Sequence, residues 1–202
     1  MQLNLLPTSW NIDQILDDLN TSGFALVDDV YPNEYVRELA QECSSHLKEF
    51  RAAGVQNGVV SHIRSDHILW IDDQLSIAQQ HIQALENLSQ ALNQAFYLGI
   101  KEVEAHFACY HAGEFYALHR DNPQQKNDRM ISTVFYLHES WQEHWGGQLR
   151  LQDKNAQWHI IQPLPNRLVI FQSDSLHEVL LSKQQRLSIT AWLRSGSSIW
   201  NG

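Results

Sequence analysis

From Lys101 onward the chain adopts a period of two. In EVEAHFACY, Val103, Ala105, Phe107 and Cys109 share one face while Glu102, Glu104 and His106 share the other, because successive side chains alternate along a strand. Similar short stretches recur near 115–119, 130–137, 147–151, 157–161, 167–171, 176–181 and 186–194. Gly146-Gly147, Asp153-Lys154-Asn155 and Pro163-Leu164-Pro165-Asn166 punctuate them as turns. About eight short strands in one half of a chain predict a jelly-roll barrel.

The first half reads as helical with a few strands. A short helix is expected over Asn11 to Leu19, with Ile12, Ile15, Leu16 and Leu19 on one face and Gly23 at its end, followed by a strand in FALVDD. Tyr31-Pro32 opens a second helix, with Pro32 in its first turn. It carries Tyr35, Val36, Leu39, Cys43 and Leu47 at helical spacing and is expected to stop near Gly54. The strongest helical pattern runs from Gln74 to Leu98. Leu75, Ala78, Ile82, Leu85, Leu88, Leu92 and Phe96 form one apolar stripe there, and Gly99 is expected to end it.

Composition agrees with a folded chain: 202 residues, 43% hydrophobic and 18% charged, enough for one full core. With no repeat or linker, residues 1–202 read as a single domain, with helical support over about 1–100 and a jelly-roll core over about 101–195. The class is α+β with a mostly β core. A formal net charge of -9 argues against a nonspecific grip on nucleic acid. Cys43 and Cys109 are the only cysteines, too few for a disulfide framework, so they are expected to be reduced and buried. The N-terminus has no basic region before a long apolar run, and no stretch reaches membrane-span length. The expected location is therefore the cytoplasm, with no membrane partner.

His119 and Asp121 lie two apart at the end of an expected strand, where both side chains point to the same side and can reach one ion. His177, near the start of a late strand, is the third candidate. Two histidines and a carboxylate on one face of an octahedral metal leave three positions open, as in non-haem iron(II) oxygenases. With 11 histidines in the chain, His-x-Asp alone is a weak signal. Arg186 strengthens it, nine positions after His177 in QQRLSITAW. An arginine fork pairs a carboxylate in bidentate fashion, and one among Leu187, Ile189 and Ala191 on a core strand needs a buried anion.

Together these segments resemble the prolyl-4-hydroxylase branch of the 2-oxoglutarate oxygenases, notably the cytosolic oxygen-sensing prolyl hydroxylases of animals and their bacterial relatives. The resemblance runs from about Arg64 to Trp192 and rests on ACYHAGEFYALHRDNP, ISTVFYLHESWQEHWGGQLRL, NRLVIFQSDSLHEV, RLSITAWL and RSDHILWI. It implies a double-stranded β-helix (jelly roll, cupin-like) buttressed by N-terminal helices. Iron(II) would sit on His119, Asp121 and His177, with 2-oxoglutarate and O2 as co-substrates and ascorbate as reductant. Arg186 would hold the distal carboxylate, with Tyr136 donating beside it and Tyr110, Thr190 and Trp192 lining the same pocket. Arg64 and Asp66 match positions near a mobile loop that closes over a peptide substrate.

The chain departs from the family's pattern in four places. The loop after Tyr110 is one residue shorter, His111 stands where proline is usual, Gln172 replaces an aromatic, and His138 replaces an asparagine. These departures bear on the peptide bound rather than on the chemistry. The activity implied is hydroxylation of a prolyl residue in a protein, such as a translation factor, coupled to conversion of 2-oxoglutarate and O2 to succinate and CO2. Two alternatives stay open: hydroxylation of a free amino acid or other small molecule, and a non-catalytic metal-binding jelly-roll module. A polar stretch with Gly54 and Gly58 beside RSDHILWI favours a macromolecular substrate. His62, His67, His81, His106, His144 and His159 show no ligand spacing and are expected at the surface or in local hydrogen bonds.

Overall fold

The computed structural model describes residues 7, 10–54, 63–122 and 128–196. In chain order the elements are α1 (Ile12–Ser22), β1 (Phe24–Val27), α2 (Asn33–Ser45), β2 (Arg51–Ala52), β3 (His67–Trp70), α3 (Ser76–Phe96), β4 (Glu102–Tyr110), β5 (Tyr116–His119), β6 (Arg129–Tyr136), β7 (Leu149–Gln152), β8 (Trp158–Ile161), β9 (Leu168–Gln172), β10 (His177–Val179) and β11 (Arg186–Arg194). A seven-stranded sheet has the order β1-β9-β6-β11-β4-β3-β2, and a four-stranded sheet the order β5-β10-β7-β8. All pairings are antiparallel. The fold is a double-stranded β-helix buttressed by helices.

The larger sheet separates two apolar cores. Phe107 and Cys109 of β4, Ile131 and Phe135 of β6, and Ile189 and Leu193 of β11 pack against the helices. Alternate residues Ala108, Tyr110, Val134 and Tyr136 turn the other way, to meet Leu149, Leu151 and Val179 of the smaller sheet. The alternation read from the sequence is therefore real, but both faces of these central strands are buried. Arg186 accordingly lies on the opposite face from Leu187, Ile189 and Ala191.

The helices follow their stripes, with shifted ends. Asn11 is the N-cap of α1, its side chain accepting from the Gln14 N–H at 3.1 Å. α2 stops at Ser45, short of the expected Gly54, because a 3₁₀ turn over Leu47–Glu49 redirects the chain into β2. Leu47 still packs on the core, which is why its spacing looked helical. α3 ends at Phe96, with Tyr97 rather than Gly99 as its left-handed cap (φ 56°). The Glu42 carboxylate ties the two longer helices together. It accepts from the backbone N–H groups of Ile77 and Ala78 at 3.0 and 2.8 Å, at the positive end of α3. No described helix is long and apolar enough to cross a membrane.

Among the remaining histidines, His81 and His106 are buried rather than exposed. The His81 Nδ1 lies 2.8 Å from the Tyr31 hydroxyl; the His106 Nδ1 lies 3.1 Å from the Phe107 carbonyl oxygen. Burial pushes His81 down to about 3; burial, helped by the Arg64 charge, pushes His106 down to about 4. His62, Gly58 and Pro123 lie outside the described residues.

A base whose folded pKa is depressed contributes stability that is fully present above its unfolded value of about 6.5 and is lost as the pH falls toward the folded value. Urea unfolding should therefore show stability falling by about 2 kcal/mol per such histidine between pH 6.5 and 5. His81→Leu should flatten that slope. An unchanged slope would show that His81 is protonated in the fold.

Candidate metal and 2-oxo acid site

The three candidate ligands come together. His119 ends β5 and His177 begins β10, and the two are register partners across the smaller sheet. Their rings are 4.2 Å apart between centroids. Asp121 follows in the bend after β5, held by its backbone N–H donating to the Ser173 carbonyl at 3.0 Å. Its Oδ1 lies 3.4 Å from His119 Nε2 and its Oδ2 lies 3.6 Å from His177 Nε2. One ligand atom from each residue lies within 4.8 Å of the others, a spacing that can hold a metal ion.

The surroundings fix how each ligand is presented. The Nδ1 of His119 sits 2.8 Å from the Ala117 carbonyl oxygen, and that of His177 sits 3.0 Å from the Ser175 carbonyl oxygen. A carbonyl accepts only from a protonated nitrogen, so Nδ1 carries the hydrogen and Nε2 presents its lone pair toward Asp121. Ser132 Oγ donates to Asp121 Oδ2 at 2.6 Å and lies 2.8 Å from Ser173 Oγ. Burial raises the Asp121 carboxyl, but the histidines and Ser132 outweigh it and hold the group well below the usual carboxylate range. Burial pushes His177 down to about 4, against the opposing pull of Asp121. A carboxylate and a neutral imidazole are the forms that bind metal.

Opposite, on the larger sheet, Arg186 opens β11 directly across from Tyr110 of β4. It is 1% exposed. Its Nε donates to the Gly147 carbonyl at 2.9 Å and its Nη1 donates to Ser188 Oγ at 3.2 Å. Its Nη2 has no hydrogen-bond partner, and neither has the buried Tyr136 hydroxyl. The guanidinium carbon lies 4.9 Å from the ring centroids of both Tyr110 and Tyr136. Among the described residues no carboxylate pairs with Arg186. Such a donor set suits an anion.

The Gly-Gly hairpin makes room for it. Gly146 and Gly147 have φ values of 74° and 67°, a region that costs other residues free energy. A Cβ on Gly146 would collide with the Leu181 carbonyl, and one on Gly147 would sit 3.0 Å from Arg186 Cδ. His138, where the family pattern has asparagine, is pushed down to about 3 by burial and by the Arg186 charge. It stays neutral and adds no second cation.

Thr190 and Trp192 continue along the Arg186 face of β11 and line the cavity that also holds the triad. Arg64 lines it too, its guanidinium 4.4 Å from the Tyr116 ring centroid. Asp66 is fully buried, and its carboxylate accepts two bonds from Arg64, both at 2.7 Å. Sequence reasoning missed Tyr116, which stacks on His119 at 3.6 Å, and Phe171, whose ring meets His177 at 4.8 Å. It also missed Arg129, stacked 3.6 Å over Trp192. Of these, only Tyr116 gave a sequence cue, being three residues before His119.

The family model for the 2OG-Fe(II) oxygenase superfamily matches residues 105–194. A prolyl-4-hydroxylase from Pseudomonas putida is 40% identical, with a TM-score of 0.84 over 91% of this chain and 98% of that one. The chain belongs to the 2OG-Fe(II) oxygenase superfamily. It is by class a 2-oxoglutarate-dependent dioxygenase, and the superfamily uses iron(II), 2-oxoglutarate and O2. Another superfamily structure, a prolyl hydroxylase from Trichoplax adhaerens in complex with a peptide fragment of the hypoxia inducible factor oxygen degradation domain, is 26% identical. It has a TM-score of 0.84 and covers 91% of this chain and 89% of that one. The hypoxia-inducible factor prolyl hydroxylase of Caenorhabditis elegans is 28% identical over 95% of this chain, which spans 29% of that relative's length.

The Ser132 hydroxyl aims one oxygen of Asp121, so its loss should loosen the metal without unfolding the sheet. Ser132→Ala should weaken iron(II) binding roughly 10–100-fold, read by anaerobic metal titration. Unchanged affinity would show that Asp121 needs no such support.

Proposed function

We propose that this chain is an iron(II)- and 2-oxoglutarate-dependent prolyl 4-hydroxylase acting on a prolyl residue of a protein. The reading treats residues 1–202 as one domain. His119, Asp121 and His177 would hold the iron, and Arg186 with Tyr136 the distal carboxylate of 2-oxoglutarate. Tyr110, Thr190 and Trp192 would line its pocket. The observation that carries this reading is a buried pair of unpartnered donors: Arg186 Nη2, on a residue lining the cavity shared with the triad, and the hydroxyl of Tyr136, whose ring centroid lies 4.9 Å from the guanidinium carbon. A 2-oxo acid without a distal carboxylate would leave both of them unpaired, at a cost of about 1–3 kcal/mol each.

Iron and 2-oxoglutarate, when bound, supply activation of O2 with conversion of the oxo acid to succinate and CO2. This chain's residues do the positioning. The carbonyls of Ala117 and Ser175 keep both imidazoles in the ligating tautomer. Tyr116 and Phe171 pack on the histidine rings and keep water from the ligands on that side. Arg64, braced by Asp66, lies at the wall where a substrate would enter. Asp66 therefore acts through Arg64 rather than touching substrate.

The substrate reading draws on two relatives whose names state prolyl hydroxylase activity, one of them bound to a peptide. A translation factor is the substrate class we favour, from the likeness to the bacterial branch, and ascorbate the reductant that restores iron(II). The cytoplasm is the setting in which such a substrate would be met.

Succinate release from 2-oxoglutarate, measured with iron(II) and O2 and with or without cell lysate, tests this. Lysate should stimulate turnover, mass spectrometry should find a peptide gaining one oxygen on proline, and His119→Ala should abolish both. Stimulation by a free amino acid alone would replace the protein substrate with a small one. Undiminished coupled turnover in His119→Ala would overturn the triad.

A further inference from the structure

We propose that His67, His111 and Glu114 form a second metal site, separate from the triad, that takes a divalent cation of the zinc class. One ligand atom from each of these residues lies within 4.8 Å of the others. His67 is the register partner of Cys109, so its side chain shares the helix-facing side of the larger sheet. The triad lies on the other side, between the sheets.

The arrangement is organised beyond proximity. His67 Nδ1 is buried with no hydrogen-bond partner. It lies 3.4 Å from Glu114 Oε1. Two ligands about 2.0–2.1 Å from a tetrahedral ion are separated by about that distance. Glu114 Oε2 accepts from the His111 backbone N–H at 2.7 Å, which anchors the carboxylate and leaves Oε1 toward His67. The turn carrying both residues is fixed in its own right. Gly113 N–H donates to the Ser182 carbonyl at 2.7 Å, and Ser182 N–H donates to the Glu114 carbonyl at 2.9 Å. The His67 and His111 rings meet edge to face, 5.3 Å apart between centroids. The Cys109 thiol backs the site, 3.8 Å from His111 Nε2.

Two imidazoles and one carboxylate suit zinc and its neighbours better than calcium or magnesium, which prefer all-oxygen sets. His111 is exposed, which gives the ion an entry path and leaves a fourth position to water. A bound ion would staple β3 to the turn between β4 and β5. That fastens Asp66, just before His67, to Tyr110, just before His111, and so stiffens the wall that carries Arg64.

The test is a metal count on the whole chain, stripped of metal and then dialysed against zinc. Wild-type protein should bind two zinc ions per chain, one at the triad and one here. The His67→Ala/His111→Ala double variant should bind one, and His119→Ala should keep the second site filled. Glu114→Gln retains an acceptor for the His111 N–H but removes the charge, and it should weaken the second zinc at least tenfold while sparing the first. A single zinc in wild-type protein that the double variant retains, two in the double variant, or unchanged affinities in Glu114→Gln would overturn the site. Failure of the triad would show in His119→Ala instead, so the two readings fail separately.

Discussion

A guanidinium taken out of water and left with an unpaired N–H costs several kcal/mol unless an anion joins it. Arg186 is in that position at 1% exposure. Its strand cannot retreat to relieve the cost, because β11 is zipped on both sides, to β4 and to β6. Gly147 of the hairpin leaves room for its side chain, and Gly147 and Ser188 take two of its donors. The remaining donor belongs to a residue that lines the cavity of the triad, and the Tyr136 hydroxyl beside it is likewise buried without a partner. On the proposed reading, the double-stranded β-helix thus sets one sheet to hold an anion's far end and the other to hold a metal.

The triad itself shows why a fold of this kind uses two short strands for the ligands. Register pairing puts His119 and His177 side by side, and a carbonyl two residues earlier in the chain fixes each ring. The backbone therefore chooses the tautomer. Asp121, outside the ladder, is steered by the Ser132 hydroxyl of β6 and by the backbone carbonyl of Ser173, just past β9. The two sheets are coupled at the metal ligand most able to swing.

Much of this was legible in the sequence, and the limits have physical causes. Strands from β4 to β11 were readable because their alternation and turn residues are local signals. β3 and β2 were not: β2 has only two residues, and the consecutive apolar Ile68, Leu69 and Trp70 of β3 show no alternation. The end of α2 was misplaced because Leu47 keeps an apolar role after the helix has stopped. Triad and arginine were legible through spacing and resemblance together. Phe171 against His177 and Arg129 against Trp192 depend on how sheets and strands pack, which no local pattern reports. The same holds for His67, His111 and Glu114: strand register joins His67 to a turn far along the chain.

The central claim is that Arg186 exists to bind a second carboxylate on a 2-oxo acid. The most direct measurement compares the affinity of 2-oxoglutarate with that of 2-oxobutanoate, which lacks the distal carboxylate, in wild-type protein and in Arg186→Leu, each loaded with iron(II) without O2. The account predicts that wild-type protein prefers 2-oxoglutarate by at least tenfold and that Arg186→Leu loses the preference. Equal binding of both acids by wild-type protein, or an undiminished preference in the variant, would contradict it.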